Sequence, residues 1–362
     1  MKILAIDTSC DETSIAILKD MNVIANVFWT KSETYAKWGG VVPSIAKRQH
    51  DEFLDPAISE ALKKAKCDIS EIDVFAVTQG PGLAIALESG ISKAKSLAKD
   101  HSKPLIAVNH MIGHIYSSLA RDEKGNAFSD LNDFDFPLIA LAISGGHTDM
   151  YLMTDHLKFT QLGETLDDAV GEVFDKVGRM LGMGYPAGSL IEKTALKGNP
   201  DRFNFPRPLK NHNSFNWSFS GLKTAVLYEI KKLVGDYESK PGKKVMKIED
   251  LSSKLESKTI ADLASSFQKA VIDSLLIKIE KALFEYRPKM LVVGGGVVAN
   301  SALRSELERV SKEYNISVYY PKPMWLCTDN AAMIAVAANY YAKNQTYVKN
   351  INTLDRLPNL RI

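Results

Sequence analysis

Residues 2–30 read KILAIDTSCDETSIAILKDMNVIANVFWT, and residues 137–162 read PLIALAISGGHTDMYLMTDHLKFTQL. In the first stretch an apolar run at 3–6 meets a small polar turn, Asp7-Thr8-Ser9, and further apolar runs follow at 13–18 and 23–29. The second stretch repeats that order, with run 138–143, turn Ser144-Gly145-Gly146-His147, run 148–153 and run 156–162. Short apolar runs bounded by Gly, Ser and Asp are the signature of strands joined by hairpins. Meeting that pattern twice in one chain predicts a duplicated α/β fold, two lobes with a central cleft.

The intervening residues support the α/β class. Apolar residues recur at helical spacing in 45–65, 84–99, 165–181, 189–197 and 260–286, and short apolar runs at 73–78, 104–108 and 289–293 read as strands. A helix is expected to start near Asn300, and an alanine-rich helix to span 329–341. The expected division is an N-terminal lobe of 1–133 plus about 325–345, a C-terminal lobe of 134–324, and a tail, 346–362, with no readable motif. The polar, lysine-rich stretch 234–255 is expected to be a loop or mobile insertion.

Bulk properties narrow the function classes. The 362 residues are 45% hydrophobic, enough for a sizeable core. The longest apolar stretches, such as 138–143, are of strand length and far too short to span a bilayer. The opening residues place an acid where a signal peptide needs an uninterrupted apolar region. Cys10, Cys67 and Cys327 form no CxxC pair, which points to a reduced, cytoplasmic protein. With 45 basic and 43 acidic residues the net charge is +2, which neither announces a nucleic-acid binder nor excludes one with a local patch. Cations cluster at 202–223 and at 240–247, the latter read as a solvated loop.

Three constellations carry chemistry. In His110-Met111-Ile112-Gly113-His114 a helix would put both imidazoles on one face, the spacing of metal ligands. The glutamate of the HExxH proteases is missing, since Met111 holds its place, so a metal here would polarise a ligand without the adjacent base for peptide cleavage. The alternative is two structural helix histidines, one capping and one buried. Asp329, expected to open a helix, is the candidate third ligand. The turn Ser144–His147, its counterpart Asp7-Thr8-Ser9, and Gly294-Gly295-Gly296 after a strand suit the close approach of a nucleotide. Finally, Asp168, Glu172 and Asp175 share a face of the expected helix 165–181, where a carboxylate could bind ribose hydroxyls or simply face solvent.

Taken together and in order, Asp7-Thr8-Ser9-Cys10-Asp11-Glu12-Thr13, His110 to His114, Ser144 to Thr148, Phe174-Asp175-Lys176, Ser218-Phe219-Ser220-Gly221-Leu222-Lys223 and Gly295 to Asn300 resemble the bacterial TsaD family, relatives of the archaeal and eukaryotic threonylcarbamoyl transferases. The resemblance runs from residue 1 to about 340. It implies the actin/Hsp70/sugar-kinase-like (ASKHA) fold. It implies one divalent metal, Fe2+ or alternatively Zn2+, on His110, His114 and Asp329. Ile143, Ser144, Gly145, Gly146 and His147 would then bind the phosphate end of a threonylcarbamoyl-AMP substrate, with Asp175, Gly188 and Asn300 on its sugar and adenine. The product would be N6-threonylcarbamoyladenosine at position 37 of tRNAs that read codons beginning with A, and TsaB-like and TsaE-like proteins would be partners. There are departures: Ala187 replaces a glycine usual in the family, Ser44 stands where bacterial members often carry Glu, and Leu87-Glu88-Ser89-Gly90 replaces a more apolar or basic run near the expected partner surface.

For such a transfer Asp11 and Glu12 are the candidate proton acceptors, and the cations of 202–223, with Phe215, Trp217 and Phe219 among them, either hold an anticodon loop or belong to the core. Competing readings are an ATPase or sugar kinase of the same fold, which has no use for paired histidines, a metalloprotease, and a non-catalytic nucleotide binder.

Overall fold

The structure is a computed structural model that describes residues 1–30, 35, 40–235 and 251–362. The basic run 240–247 lies outside the described residues, as does most of 234–255; Leu251, inside that stretch, is a buried core residue.

The first half runs β1 (Lys2–Asp7), β2 (Thr13–Lys19), β3 (Asn22–Trp29), α1 (Pro43–Ala65), β4 (Val74–Gly80), α2 (Ala84–Asp100), β5 (Leu105–Asn109) and α3 (His110–Tyr116). The second runs β6 (Leu138–Ile143), β7 (Thr148–Asp155), β8 (Lys158–Glu164), α4 (Val170–Met180), α5 (Gly188–Ala195), α6 (Ser220–Leu233), α7 (Ser257–Tyr286), β9 (Met290–Gly294), α8 (Ser301–Tyr314), β10 (Ser317–Tyr319) and α9 (Ala331–Lys343). The sheets have the orders β3-β2-β1-β4-β5 and β8-β7-β6-β9-β10. In each, the first strand pairs antiparallel with the second and parallel with the fourth, so the duplication extends over all five strands. The fifth strand of the second sheet, three half-buried or exposed residues, carries too short a pattern to read in the sequence.

The central strands are buried on both faces, which is why they read as unbroken apolar runs. Along β1, Leu4 and Ile6 pack with Leu54, Ala57 and Ile91 of α1 and α2, while Ile3 and Ala5 face the opposite way. Along β6, Ile139 and Leu141 join the core under α4 to α7, while Leu138 and Ala140 face the opposite way. Ile3, Ala5, Leu138 and Ala140 share one cluster with Ile112 and Ile115 of α3 and Ile334 and Val336 of α9. This helix pair is therefore packed between the two sheets. Each member follows the fifth strand of its own repeat, so α3 and α9 occupy equivalent places. Among the described residues no helix is long and apolar enough to cross a membrane.

Several expectations change. The helix expected over 165–181 begins only at Val170, because the preceding residues are tied into a turn. The Thr165 hydroxyl donates to the Asp168 carbonyl, and Asp167 accepts from the Ser218 and Ser220 hydroxyls and from the backbone N–H of Phe219 and Ser220. Asp168 pairs with Lys176 and Lys223 at 2.7 and 2.8 Å, so it braces this junction and shares no helix face with Glu172 and Asp175. Trp217 and Phe219 are core residues with about 1% exposure or less, which removes both as stacking platforms for a nucleic acid. Phe215 is half-buried beneath Lys281, whose ammonium lies 4.7 Å from its ring centre. The stretch 346–362 is anchored: Val348 donates its N–H to Leu105, and Leu357 to Gln79.

Two glycines permit the central packing. A Cβ at Gly113 would lie 2.9 Å from Ile334 Cδ1, so glycine lets α3 and α9 approach. A Cβ at Gly294 would lie 2.2 Å from the His114 carbonyl oxygen, so the end of β9 sits directly under α3. Gly294→Ala should therefore destabilise the protein by roughly 1–3 kcal/mol through overpacking against backbone. A lower urea midpoint at unchanged m-value is the expected readout, and an unshifted midpoint would contradict the contact.

Candidate metal and nucleotide site

The site begins with two helix caps. Asn109 ends β5, and its side-chain oxygen accepts from the N–H of Met111 and Ile112 at 2.8 and 3.3 Å. This caps α3 with no intervening loop and leaves His110 as its first residue, at the carboxyl end of a parallel strand, where open α/β sheets bind ligands. Neither histidine caps the helix. In the other repeat Asn330 caps α9 by accepting from Met333, and the Ala331 N–H is satisfied by the Ser14 hydroxyl of β2. Asp329 thus sits just before the cap rather than within the helix.

The approach of α3 and α9 brings the three side chains together. Asp329 Oδ1 is 3.4 Å from His110 Nε2 and 3.2 Å from His114 Nε2. The imidazole rings lie 4.6 Å apart, nearly perpendicular, and one ligand atom from each of the three residues falls within 4.8 Å of the others. Tetrahedral coordination with bonds near 2.05 Å puts ligand atoms about 3.3 Å apart, so the spacing fits one divalent ion. The chemistry fits as well. Both ring nitrogens of His114 and Nδ1 of His110 are buried with no hydrogen-bond partner among the described residues, a cost that a coordinated ion would relieve at the ligating nitrogens.

Charge around this point is strongly coupled. Burial opposes ionisation of Asp329, but His110 and His114 hold its carboxyl well below the usual carboxylate range. Burial, together with His110, lowers the His114 ring below the usual imidazole range, into the neutral form a ligand requires. Burial also works against a charged His110, yet Asp329 and Asp7 outweigh it and raise that ring. Asp7, at the end of β1, stands 3.7 Å from His110 Nδ1 and accepts from the Thr78 hydroxyl at 2.7 Å. A carboxylate behind a ligating ring fixes its tautomer and orientation. The sequence puts Asp7 in a turn suited to a nucleotide; its place at a central strand end, matching that of Ile143, is the signal that points to the metal corner.

The two candidate proton acceptors, Asp11 and Glu12, follow Cys10 in the β1–β2 turn and do not line the cavity at the metal corner. Burial and the neighbouring Asp329 and Asp11 carboxylates raise the Glu12 carboxyl well above the ordinary range. Both Asp11 and Glu12 are half-buried.

A cavity of about 210 Å³ opens at the metal corner, lined by Cys10, Gly82, His110, His147 and Asp329 among others. The β6–β7 turn contributes Ser144, Gly145 and Gly146, with the Ser144 N–H donating to the His147 carbonyl. Burial, with His110 and His114 nearby, pushes His147 down to about 4, so its ring is neutral near pH 7. Gly145 also borders a second cavity of about 320 Å³, whose wall includes Phe174, Asp175, Gly188, Gly296 and Asn300. Here Asp175 accepts from the Ala187 N–H at 2.7 Å, and burial raises its carboxyl. Asn300 caps α8 by accepting from Leu303 and donates to Gln268 at 2.8 Å. Ile143 is fully buried at the end of β6 and lines neither cavity. The arrangement joins a corner whose spacing fits a divalent ion, at Gly145, to a largely apolar chamber of nucleotide size.

Comparison with known proteins places the chain in a family. The family model described as "TsaD: tRNA N6-adenosine threonylcarbamoyltransferase" matches residues 22–336. The chain belongs to the TsaD family. The tRNA N6-adenosine threonylcarbamoyltransferase of Fervidobacterium nodosum is 45% identical over 337 residues, 93% of this chain and 92% of that protein. The protein of the same name from Thermosipho africanus is 42% identical over the full length of both. Among solved structures, HypF of T. kodakarensis superposes with a TM-score of 0.58 at 14% identity, over 95% of this chain and 48% of that one. This chain thus spans about half of HypF, and the likeness shows the fold: the actin/Hsp70/sugar-kinase type.

The TsaD motif Ser218-Phe219-Ser220-Gly221-Leu222-Lys223 acquires a structural role here, since Asp167 and Asp168 fasten it to the turn that precedes α4. That turn in turn braces the glycine loop, because the Val170 N–H donates to the Thr148 hydroxyl and the Gly171 N–H to the Ser144 carbonyl.

Two outcomes are expected for the metal corner. His110→Ala with His114→Ala should abolish stoichiometric binding of Zn2+ or Fe2+ by elemental analysis, with the fold intact by circular dichroism. Because a metal must displace the proton from His110, apparent affinity should rise with pH, by up to about tenfold per unit between roughly pH 6 and 8. A pH-independent affinity in competition titrations would contradict this.

Proposed function

We propose that this chain transfers a threonylcarbamoyl group from threonylcarbamoyl-AMP to N6 of adenosine 37 in tRNAs reading codons that begin with A. The observation that carries the proposal is the two-histidine, one-aspartate corner joined at Gly145 to a chamber of nucleotide size, in a chain of the TsaD family. In this reading His110, His114 and Asp329 hold one divalent ion, Fe2+ or Zn2+. When bound, the ion supplies Lewis acidity toward the carbamoyl carbonyl.

The remaining work falls to the protein. The N–H groups of Gly145, Gly146 and His147, in the turn closed by Ser144, face the phosphate end of the adenylate, where negative charge grows as AMP leaves. Gly145 and Gly146 leave that approach open, since a Cβ at either would meet nothing within 4 Å. Asp175, Gly188 and Asn300 form the nucleoside chamber, with Asp175 as hydrogen-bond partner of the ribose, and Ile143 supports the turn from the strand beneath it. Glu12 or Asp11 takes the proton from the exocyclic amine. Burial raises the Glu12 carboxyl above the ordinary carboxylate range, which strengthens it as a base.

We further infer that 1–133 with about 325–345 acts as one lobe and 134–324 as the other. The protein works in a reducing cytoplasm, with TsaB-like and TsaE-like partners. The test is mass spectrometry of tRNA nucleosides after incubation with synthetic threonylcarbamoyl-AMP. N6-threonylcarbamoyladenosine should form with the intact protein and fall by at least about a hundredfold in the His110→Ala, His114→Ala variant. Full activity in that variant would overturn the metal's role, and no product with any partner present would overturn the function.

A further inference from the structure

The segment 355–362 lies beyond the residues matched by the family model, and it packs behind a loop that lines the metal corner. The loop 80–83 supplies Pro81, Gly82 and Leu83 to that wall, opposite His110 and Asp329. Two sets of contacts hold this loop. On its inner side Leu83 donates its N–H to the Ser9 carbonyl at 2.8 Å, and a Cβ on Gly82 would lie 2.6 Å from that same oxygen. On its outer side the Gly82 N–H donates to the Pro358 carbonyl at 3.1 Å, and the Leu357 N–H donates to the Gln79 carbonyl at 2.9 Å. The Gln79 side chain donates to the Asp355 carbonyl at 3.0 Å. A Cβ on Gly80 would fall 1.8 Å from the Leu357 carbonyl oxygen, so backbone lies directly on backbone there.

The same segment reaches the second sheet. Arg361 Nη1 is 3.5 Å from Glu164 Oε1 at the end of β8. Glu164 lies directly opposite the buried Asp149 on the β7–β8 ladder, and paired acids at that position favour a cation nearby. Ile362 packs against the central cluster that includes Tyr151. Upstream, Lys95 donates to the carbonyls of Asn352 and Leu354 at 3.0 Å, fixing the segment to α2 before it crosses.

We propose that residues 355–362 are a positioning strap of the transfer site, holding loop 80–83 against Ser9 and Cys10 and linking that wall to the β7–β8 hairpin of the opposite repeat. The strap touches none of the candidate metal ligands, so its removal leaves the ion corner and the nucleoside chamber chemically complete. What changes is the closure of the wall between them and solvent. This inference rests on the reading of the cavity as the transfer site, so its test includes a readout that needs no activity.

Cys10 supplies that readout, because it lines the cavity under loop 80–83 while Cys327 is buried elsewhere. A variant ending at Leu354 should show alkylation of Cys10 by iodoacetamide, followed by peptide mapping, accelerated at least about tenfold, with Cys327 unchanged. Its turnover number for threonylcarbamoyl transfer should fall at least about tenfold, while the Kd for AMP and the metal content stay within about twofold. Gly80→Val, which keeps the full chain but places side-chain atoms where the Leu357 carbonyl sits, should reproduce both effects. A synthetic peptide of residues 350–362 added in excess should slow Cys10 alkylation in the shortened protein again.

Unchanged Cys10 reactivity in both variants would overturn the strap whether or not the protein transfers threonylcarbamoyl groups. Joint loss of AMP binding and metal would also overturn it, as general unfolding. Accelerated alkylation with no transfer activity even in the intact protein would leave the strap standing and remove the proposed reaction.

Discussion

The structure depends on the close contact of two equivalent helices, α3 and α9, between the sheets. Each follows the last strand of one repeat, and each is capped by an asparagine at its first turn. Gly113 lets them meet without a side chain between them. Were they held further apart, Asp329 would leave the reach of His110 and His114, and the ion corner would have only two ligands from one turn of one helix. A third donor from an independent element makes a divalent site specific, because three fixed directions define where the ion sits.

The same contact explains why the corner is electrostatically strained without an ion. Two imidazoles, Asp329 and Asp7 share a buried volume in which three ring nitrogens lack hydrogen bonds among the described residues. A low-dielectric setting makes such unpaired polar atoms costly, and a coordinated cation would relieve the one nitrogen of each ring that it ligates.

Glycine has a second function in this molecule beyond tight turns. Gly80, Gly82, Gly171, Gly294 and Gly295 are places where backbone lies on backbone, and each would drive a Cβ into a main-chain atom closer than 3 Å. Through them Gly82 packs loop 80–83 on Ser9, Gly171 packs α4 on the β6–β7 turn, and Gly295 packs on Ile143 at the end of β6. Rigid support of this kind is what a transfer site needs, since small misplacements of reacting groups are costly in rate.

Much of this was legible in the chain itself. The strand-turn-strand echo at 2–30 and 137–162 stated the duplication, because buried strands leave unbroken apolar runs whatever their neighbours. The histidine pair was visible through its i, i+4 spacing, a property of one helical turn. Asp329 was only a candidate from sequence, and its meeting with the histidines follows from packing between elements more than 200 residues apart. Tertiary structure alone turned Asp168 from a helix stripe into a clamp beside Asp167, buried Trp217 and Phe219, and set residues 355–362 behind the loop that lines the cavity. Those outcomes were hidden because a local pattern records which face of an element is apolar, whereas a clamp or a strap is held by backbone groups that every sequence carries alike.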